Sequence, residues 1–195
     1  MNTFYIARHG ETENNVARRL SGWIDTPLTD KGLEPTHRVI EKLSHIRIDD
    51  IYSSDLGRAF ITAYAIARGL NLAAEIKALS GLREVSYGDT ANMFSAEAYE
   101  LYPRLDRDTH YMPPNGETLE HMQQRVLETV NDLNTQHTDS NLLLVAHSGV
   151  MAALRASFIG QDFGEHNISE AYSHDYVGVF TLEQGKVNSF EELKV

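Results

Sequence analysis

The sequence predicts an α/β fold with a largely parallel sheet and an antiparallel C-terminal edge. Three observations lead there. Apolar runs of strand length alternate with stretches of helical spacing. The last two runs are joined by "EQGK", a hairpin signal. The 195 residues, 42% hydrophobic, are enough for one compact core and short for two. Residues 1–195 therefore read as a single domain.

In chain order, Thr3 to Ala7 is the first strand, ending in "RHG" and followed by polar helix formers. Val39, Ile40, Leu43 and Ile46 mark a helix. Pro35, which lacks a backbone donor, should start that helix late or kink it. Asp50 to Ser53 is a second strand. From Leu56 to Leu70 the residues Leu56, Phe60, Ala63, Ala67 and Leu70 fall on one helical face. Tyr87 to Thr118 carries glycines, three prolines and little periodicity, so it reads as a lid-like loop with a short helix around Ser95 to Tyr102. Met122, Val126, Val130 and Leu133 mark another helix. Leu142 to Ala146 is a buried strand, and Tyr176 to Leu182 with Lys186 to Glu191 form the terminal pair.

Composition narrows the function. A net charge of -11 argues against nucleic acid or an anionic membrane surface as partner, while leaving an anionic small molecule open to a local basic site. The absence of cysteine removes disulfides, thiolate nucleophiles and thiolate metal sites. No run approaches the roughly 18 apolar residues of a membrane span, and a cytoplasmic setting is expected.

In open α/β sheets ligands bind beyond the carboxyl ends of strands. Arg8, His9 and Gly10 follow the first strand, His147, Ser148 and Gly149 follow "NLLLVA", and Arg58 opens the helix after "DIYSS". Two histidines and two arginines on one rim suit a dianionic group: arginine offers a planar donor fork, and imidazole can donate, accept or attack. Each residue also has a plain alternative. His9 and His147 could be hydrogen-bonded turn residues, and Arg58 could pair with Asp55 on a solvated helix face. Only their coincidence on one rim favours a site.

Five ordered blocks, "RHGETENN", "SGWIDTPLTDKG", "SSDLGRAFITA", "LREVSYG" and "VAHSGVMAAL", resemble the histidine phosphatase superfamily, the phosphoglycerate mutase-like family. The resemblance implies a three-layer α/β/α domain. It implies His9 as nucleophile, Arg8, Arg58 and His147 as a clamp on the phosphoryl group, Glu84 as general acid, and Asn15 as a neutral donor. Ser21, Gly22, Ser148 and Tyr87 fall at or beside positions implied to contact phosphate or substrate. The residues alone leave Glu84, Glu75 and Glu97 open as the acid, with Glu84 also able to pair with Arg83. The resemblance implies no metal and no cofactor, and the nine histidines contain no HxxxH or HxH pair.

Departures from the family pattern fall around the substrate. "YGDTANMFSAEAYELYP" stands where many members have a Trp-Glu-Gly-like segment, and Asn115 in "PPNGETLEHMQQRV" replaces one glycine of the phosphatase branch. Glu117 reads as a helix-start residue favoured by the macrodipole. Tyr87, Met112, His174 and Tyr176, the last two in "EAYSHDY", are candidates to line the pocket. The lid segment offers only Arg104 and Arg107 as cations, fewer than a mutase needs to retain a bisphosphate, although "GWIDTPL" and "EVSYG" are somewhat mutase-like. The expected function is hydrolysis of a small phosphate ester through a phosphohistidine. The alternatives are a cofactor-dependent phosphoglycerate mutase and a binding module without activity. Oligomeric state stays open; an exposed edge strand would allow a homodimer.

Overall fold

The computed structural model describes residues 1–160, 163, 172–183 and 186–194. The strands are β1 (Asn2–Arg8), β2 (Asp50–Ser54), β3 (Ile76–Leu79), β4 (Asn141–Ala146), β5 (Val177–Glu183) and β6 (Lys186–Glu192). They form one sheet in the order β3-β2-β4-β1-β5-β6. The pairs among β1 to β4 are parallel, whereas β5 runs antiparallel to β1 and β6 to β5. The middle of the "EQGK" turn, residues 184 and 185, and the start of "EAYSHDY", residues 170 and 171, lie outside the described residues.

The helices are α1 (Glu13–Val16), α2 (Thr36–Leu43), α3 (Gly57–Gly69), α4 (Ser95–Leu101), α5 (Leu119–Gln136) and α6 (Ser148–Ile159). Alternation along the strands sorts them into two layers around the sheet. Phe4, Ile6, Leu142 and Leu144 join Met122, Val126 and Val130 of α5 and Val150, Met151 and Leu154 of α6. Tyr5, Ala7, Leu143 and Val145 join Val39 and Leu43 of α2 and Ala59, Ala63 and Ile66 of α3 on the other face. The result is the three-layer α/β/α arrangement. Among the described residues no helix is long and apolar enough to cross a membrane.

Two elements differ from expectation. β3 has no counterpart in the sequence reading, because "IKAL" is four residues long, lies at the sheet edge and buries little. On α3 the buried face runs through Arg58, Ala59, Thr62, Ala63, Ile66 and Ala67. Phe60, expected inside, is 38% exposed. Small residues at 59, 63 and 67 let the helix lie close to the sheet, and that orientation turns Arg58 inward. α2 begins at Thr36, directly after Pro35. The 87–118 segment holds α4 and a 3-10 turn at Gly88–Thr90. It is zipped onto the chain after α1: the Leu20 N–H donates to Met93 O at 3.0 Å and the Ser95 N–H to Arg18 O at 2.9 Å.

Candidate active site

Strand register brings the site together. Arg8 pairs with Ala146 across β1 and β4, and the His9 N–H donates to the Ala146 carbonyl at 3.0 Å. The next residues along, His9 and His147, therefore emerge side by side, with ring centroids 5.1 Å apart. β2 stays in register with β4, Ser53 opposite Val145, so Arg58 in the first turn of α3 reaches the same rim. β5 runs the other way and starts at Val177 opposite Ala7, which returns residues 172–176 to that rim.

The four basic side chains are nearly sealed from water: Arg8 is 9% exposed, His9 5%, Arg58 2% and His147 0%. His9 Nδ1 lies 2.7 Å from the Gly10 carbonyl. A carbonyl only accepts, so the ring proton sits on Nδ1 and the Nε2 lone pair is free. Burial first, then the charges of Arg58 and Arg8, hold the His9 pKa well below its ordinary range. His147 is lowered in the same way, by burial, Arg58 and then His9 and Arg8. Arg8 donates from Nη1 to the Tyr172 carbonyl at 2.5 Å. Arg58 donates to the carbonyls of Ile24 at 2.9 Å and Gly22 at 2.7 Å. The Nε groups of Arg8 and Arg58, both ring nitrogens of His147 and Ser21 Oγ have no partner among the described residues. Buried polar atoms are normally paired, so these unused groups beside two guanidinium charges are the ones an anion drawn to this rim would meet.

Glu84 approaches from the loop after β3. Its Oε2 accepts the Gly149 N–H at 3.1 Å and its Oε1 the Val85 N–H at 3.0 Å. A side chain at Gly149 would place its Cβ 2.2 Å from Glu84 Oε1, so the glycine is what admits the carboxylate to the start of α6. Neither surface pairing open from the sequence forms: Asp55 binds Arg83 through two bonds of 2.7 and 2.6 Å, and the Arg58 N–H donates to Asp25 at 3.3 Å.

The Glu84 loop is held by residues that sequence reasoning missed. Arg125 of α5 donates to the carbonyls of Gly81, Arg83 and Glu84 at 3.1, 2.7 and 2.8 Å. Trp23 Nε1 donates to the same Glu84 carbonyl at 2.7 Å. Glu117 corrects its reading as a helix-start residue. It precedes the N-cap Thr118, grips Arg125 at 2.6 and 3.1 Å and accepts the Ser86 N–H at 2.8 Å. A strong local donor takes the carboxylate that the diffuse helix dipole would otherwise attract. The signal for Arg125 was an arginine next to Val126, at the border of the apolar stripe of α5.

Of the other candidates, Asn15 closes a capping box on α1, its Oδ1 accepting the Thr12 N–H and hydroxyl at 3.0 Å each, which leaves Nδ2 to donate. Ser148 opens α6, and its Oγ accepts the Tyr172 N–H at 3.2 Å. Tyr87 is buried and hydrogen-bonded to Tyr99, and burial, with Tyr99 and Glu84 nearby, raises its pKa well above the ordinary range. His174 lies beside His9, ring centroids 5.7 Å apart. Met112 is 59% exposed, and Tyr176 packs edge-on against Tyr172 at 4.7 Å.

Known proteins resemble this chain in sequence and fold. The profile of the histidine phosphatase superfamily, branch 1, matches residues 4–187. A glucosyl-3-phosphoglycerate phosphatase of Mycolicibacterium vanbaalenii is 36% identical over 166 residues, covering 80% of this chain and 73% of the relative. Phosphoglycerate mutase-like protein 4 of Arabidopsis thaliana is 33% identical over 156 residues, 76% of this chain and 67% of that protein. The solved structure of Bacillus stearothermophilus YhfR superposes with a TM-score of 0.86 at 31% identity, covering 96% of this chain and 95% of the other. With its sheet order, its paired histidines and these likenesses, the chain belongs to the histidine phosphatase superfamily, branch 1, as an enzyme with a phosphoglycerate mutase-like fold.

Proposed function

We propose that the protein hydrolyses small phosphomonoesters, with His9 as nucleophile and Glu84 as proton carrier. The observation that carries this reading is the buried His9 ring, its Nδ1–H committed to Gly10 and its other nitrogen free between two arginines. In the first step the Nε2 lone pair forms a bond to phosphorus while the ester P–O bond breaks, and Glu84 gives its proton to the departing oxygen. In the second, the Glu84 carboxylate takes a proton from water, the oxygen attacks phosphorus, and the P–N electron pair returns to His9. Arg8, Arg58, His147 and the Asn15 amide hold the phosphoryl oxygens, Ser21, Gly22 and Ser148 stand beside them, and Tyr87 with the 87–118 segment forms the lid. Preorganised donors of this kind are each worth on the order of 3–4 kcal/mol in a transition state.

Hydrolysis is favoured over mutation because both lid cations are already engaged, Arg104 with Asp108 at 2.8 Å and Arg107 with Asp106 at 3.4 Å. Little basic charge is left there to retain a second phosphate. Phosphoglycerate mutase is the second reading, favoured by the mutase-like relative. The test measures inorganic phosphate release from a panel of phosphorylated metabolites beside 2- to 3-phosphoglycerate interconversion with the bisphosphate supplied. Phosphate release is expected to dominate, and interconversion that outruns it would sink the hydrolase reading. The cytoplasm, where such metabolites are made, is the setting this reading calls for.

A further inference from the structure

We propose that His174 is a positioning residue for the nucleophile, acting through the peptide group between His9 and Gly10. The inference rests on the reading of His9 as the attacking group. His174 Nδ1 lies 2.6 Å from the His9 carbonyl oxygen. That oxygen only accepts, so His174 carries its proton on Nδ1 and donates it there. Burial and then the nearby Arg8 charge lower its affinity for a second proton, which keeps the ring neutral.

The other end of the same peptide is pinned as well. The Gly10 N–H donates to Thr62 Oγ1 at 2.9 Å, and that hydroxyl donates to the Arg58 carbonyl at 2.7 Å. Such a double clamp answers a local weakness. Residue 10 must be glycine, since a Cβ there would stand 2.3 Å from the Gly32 carbonyl oxygen, and glycine leaves the torsion beside the peptide soft. The Gly10 carbonyl that orients the His9 ring hangs from this same turn. Tilting the peptide would swing the ring and move Nε2 off the line of attack.

His174 also arrives on a segment already fixed to the site, because the Tyr172 carbonyl holds Arg8 and the Tyr172 N–H holds Ser148. One short stretch before β5 therefore sets the cation and, through His174, the nucleophile together. The imidazole acts through the backbone, so its loss should slow phosphorus attack without weakening capture of the phosphate.

The experiment compares wild type, His174→Ala, His174→Asn, His174→Gln and His9→Ala on p-nitrophenyl phosphate, reading kcat, KM, the rate of the phosphohistidine burst and the thermal midpoint. In His174→Asn the amide Nδ2–H takes the place of the ring Nδ1–H, whereas the longer His174→Gln side chain puts its amide past that point. Misplacement of an attacking group by about an ångström costs around 100-fold. We expect His174→Ala and His174→Gln to lose about 10- to 100-fold in kcat and burst rate with KM within about twofold. His174→Asn should recover most of that loss. Wild-type kcat in His174→Ala, or equal losses in the asparagine and glutamine variants, would overturn the proposal. The asparagine–glutamine comparison decides it even where the alanine variant does not fold. His9→Ala separates the two ideas: full activity there would remove the nucleophile reading and this inference with it. An inactive His9→Ala beside an unimpaired His174→Ala would remove the inference alone.

Discussion

At the scale of single residues, the proposed chemistry turns on where protons sit. His9 offers Nε2 because Gly10 holds the Nδ1 proton, and Glu84 reaches the same space because Gly149 has no side chain to meet it. Glu84→Gln should slow the phosphorylation of His9 by alkyl phosphates about 10²- to 10⁴-fold and by aryl phosphates, whose leaving groups need little help, far less, while slowing water attack on the phosphohistidine equally for both; equal losses in the phosphorylation step would take Glu84 out of the acid role. Gly149→Ala should reproduce that leaving-group dependence by pushing the carboxylate aside, with circular dichroism unchanged. A Gly149→Ala enzyme as fast as wild type on alkyl phosphates would mean that this carboxylate position does not matter. The strand-end positions of Arg8, His9 and His147 were legible from hydrophobic runs that stop at charged or polar residues. Arg125 was not, because its importance lies in carbonyls 41 to 44 residues away, and sequence spacing carries no trace of them.

Among the elements, α5 does more than cover the sheet. Its Arg125 ties down three carbonyls of the Glu84 loop and is itself held by Glu117, both side chains at most about a fifth exposed. Arg125→Ala leaves those carbonyls and Glu117 without their donor, and should cost about 2–4 kcal/mol, read as a lower denaturation midpoint with an unchanged m-value, together with a fall in kcat. Arg125→Lys should recover little of either, since an ammonium lacks the planar fork that reaches carbonyls and carboxylate together. Near-full recovery by lysine would show that charge alone matters there. The central strands and long helices were readable because burial imposes a strict period on them. β3 was missed since an edge strand of four residues needs no such period, and the face of α3 was misjudged because it is chosen partly by where Arg58 must point.

For the whole molecule, three buried or half-buried imidazoles share one property. His9, His147 and His174 all have depressed proton affinities, whereas the unfolded chain binds those protons near the ordinary value of 6.5. The unfolded state therefore takes up more protons below that pH. Stability held above about pH 6.5 is lost as the pH falls, by about 1.4 kcal/mol per unit for each proton. The depressed carboxylates Asp55, Asp108, Asp139 and Asp175 lose their contribution as the pH falls through and below their ordinary 3.8, outside that window. Thermal midpoints should drop from about pH 7.5 to about pH 5.5, and less steeply in His147→Asn and His9→Asn. A slope the same in wild type and both variants would contradict the assignment.

The sheet order has one more consequence, for the birth of the protein. β1, which carries Arg8 and leads to His9, lies between β4 and β5 and pairs with residues 141–146 and 177–182. Translation supplies it before either neighbour, the nearer of which begins at Asn141. Phe4 to Ala7, destined for full or near-full burial, must wait with both strand edges open until residues 141–146 and 177–182 emerge, as a sticky ribbon that holdase chaperones would shield. Non-local pairing of this kind also slows folding. His9 is thus synthesised well before the strands that place it, and a nascent chain completes this rim only when β4 and β5 have both arrived.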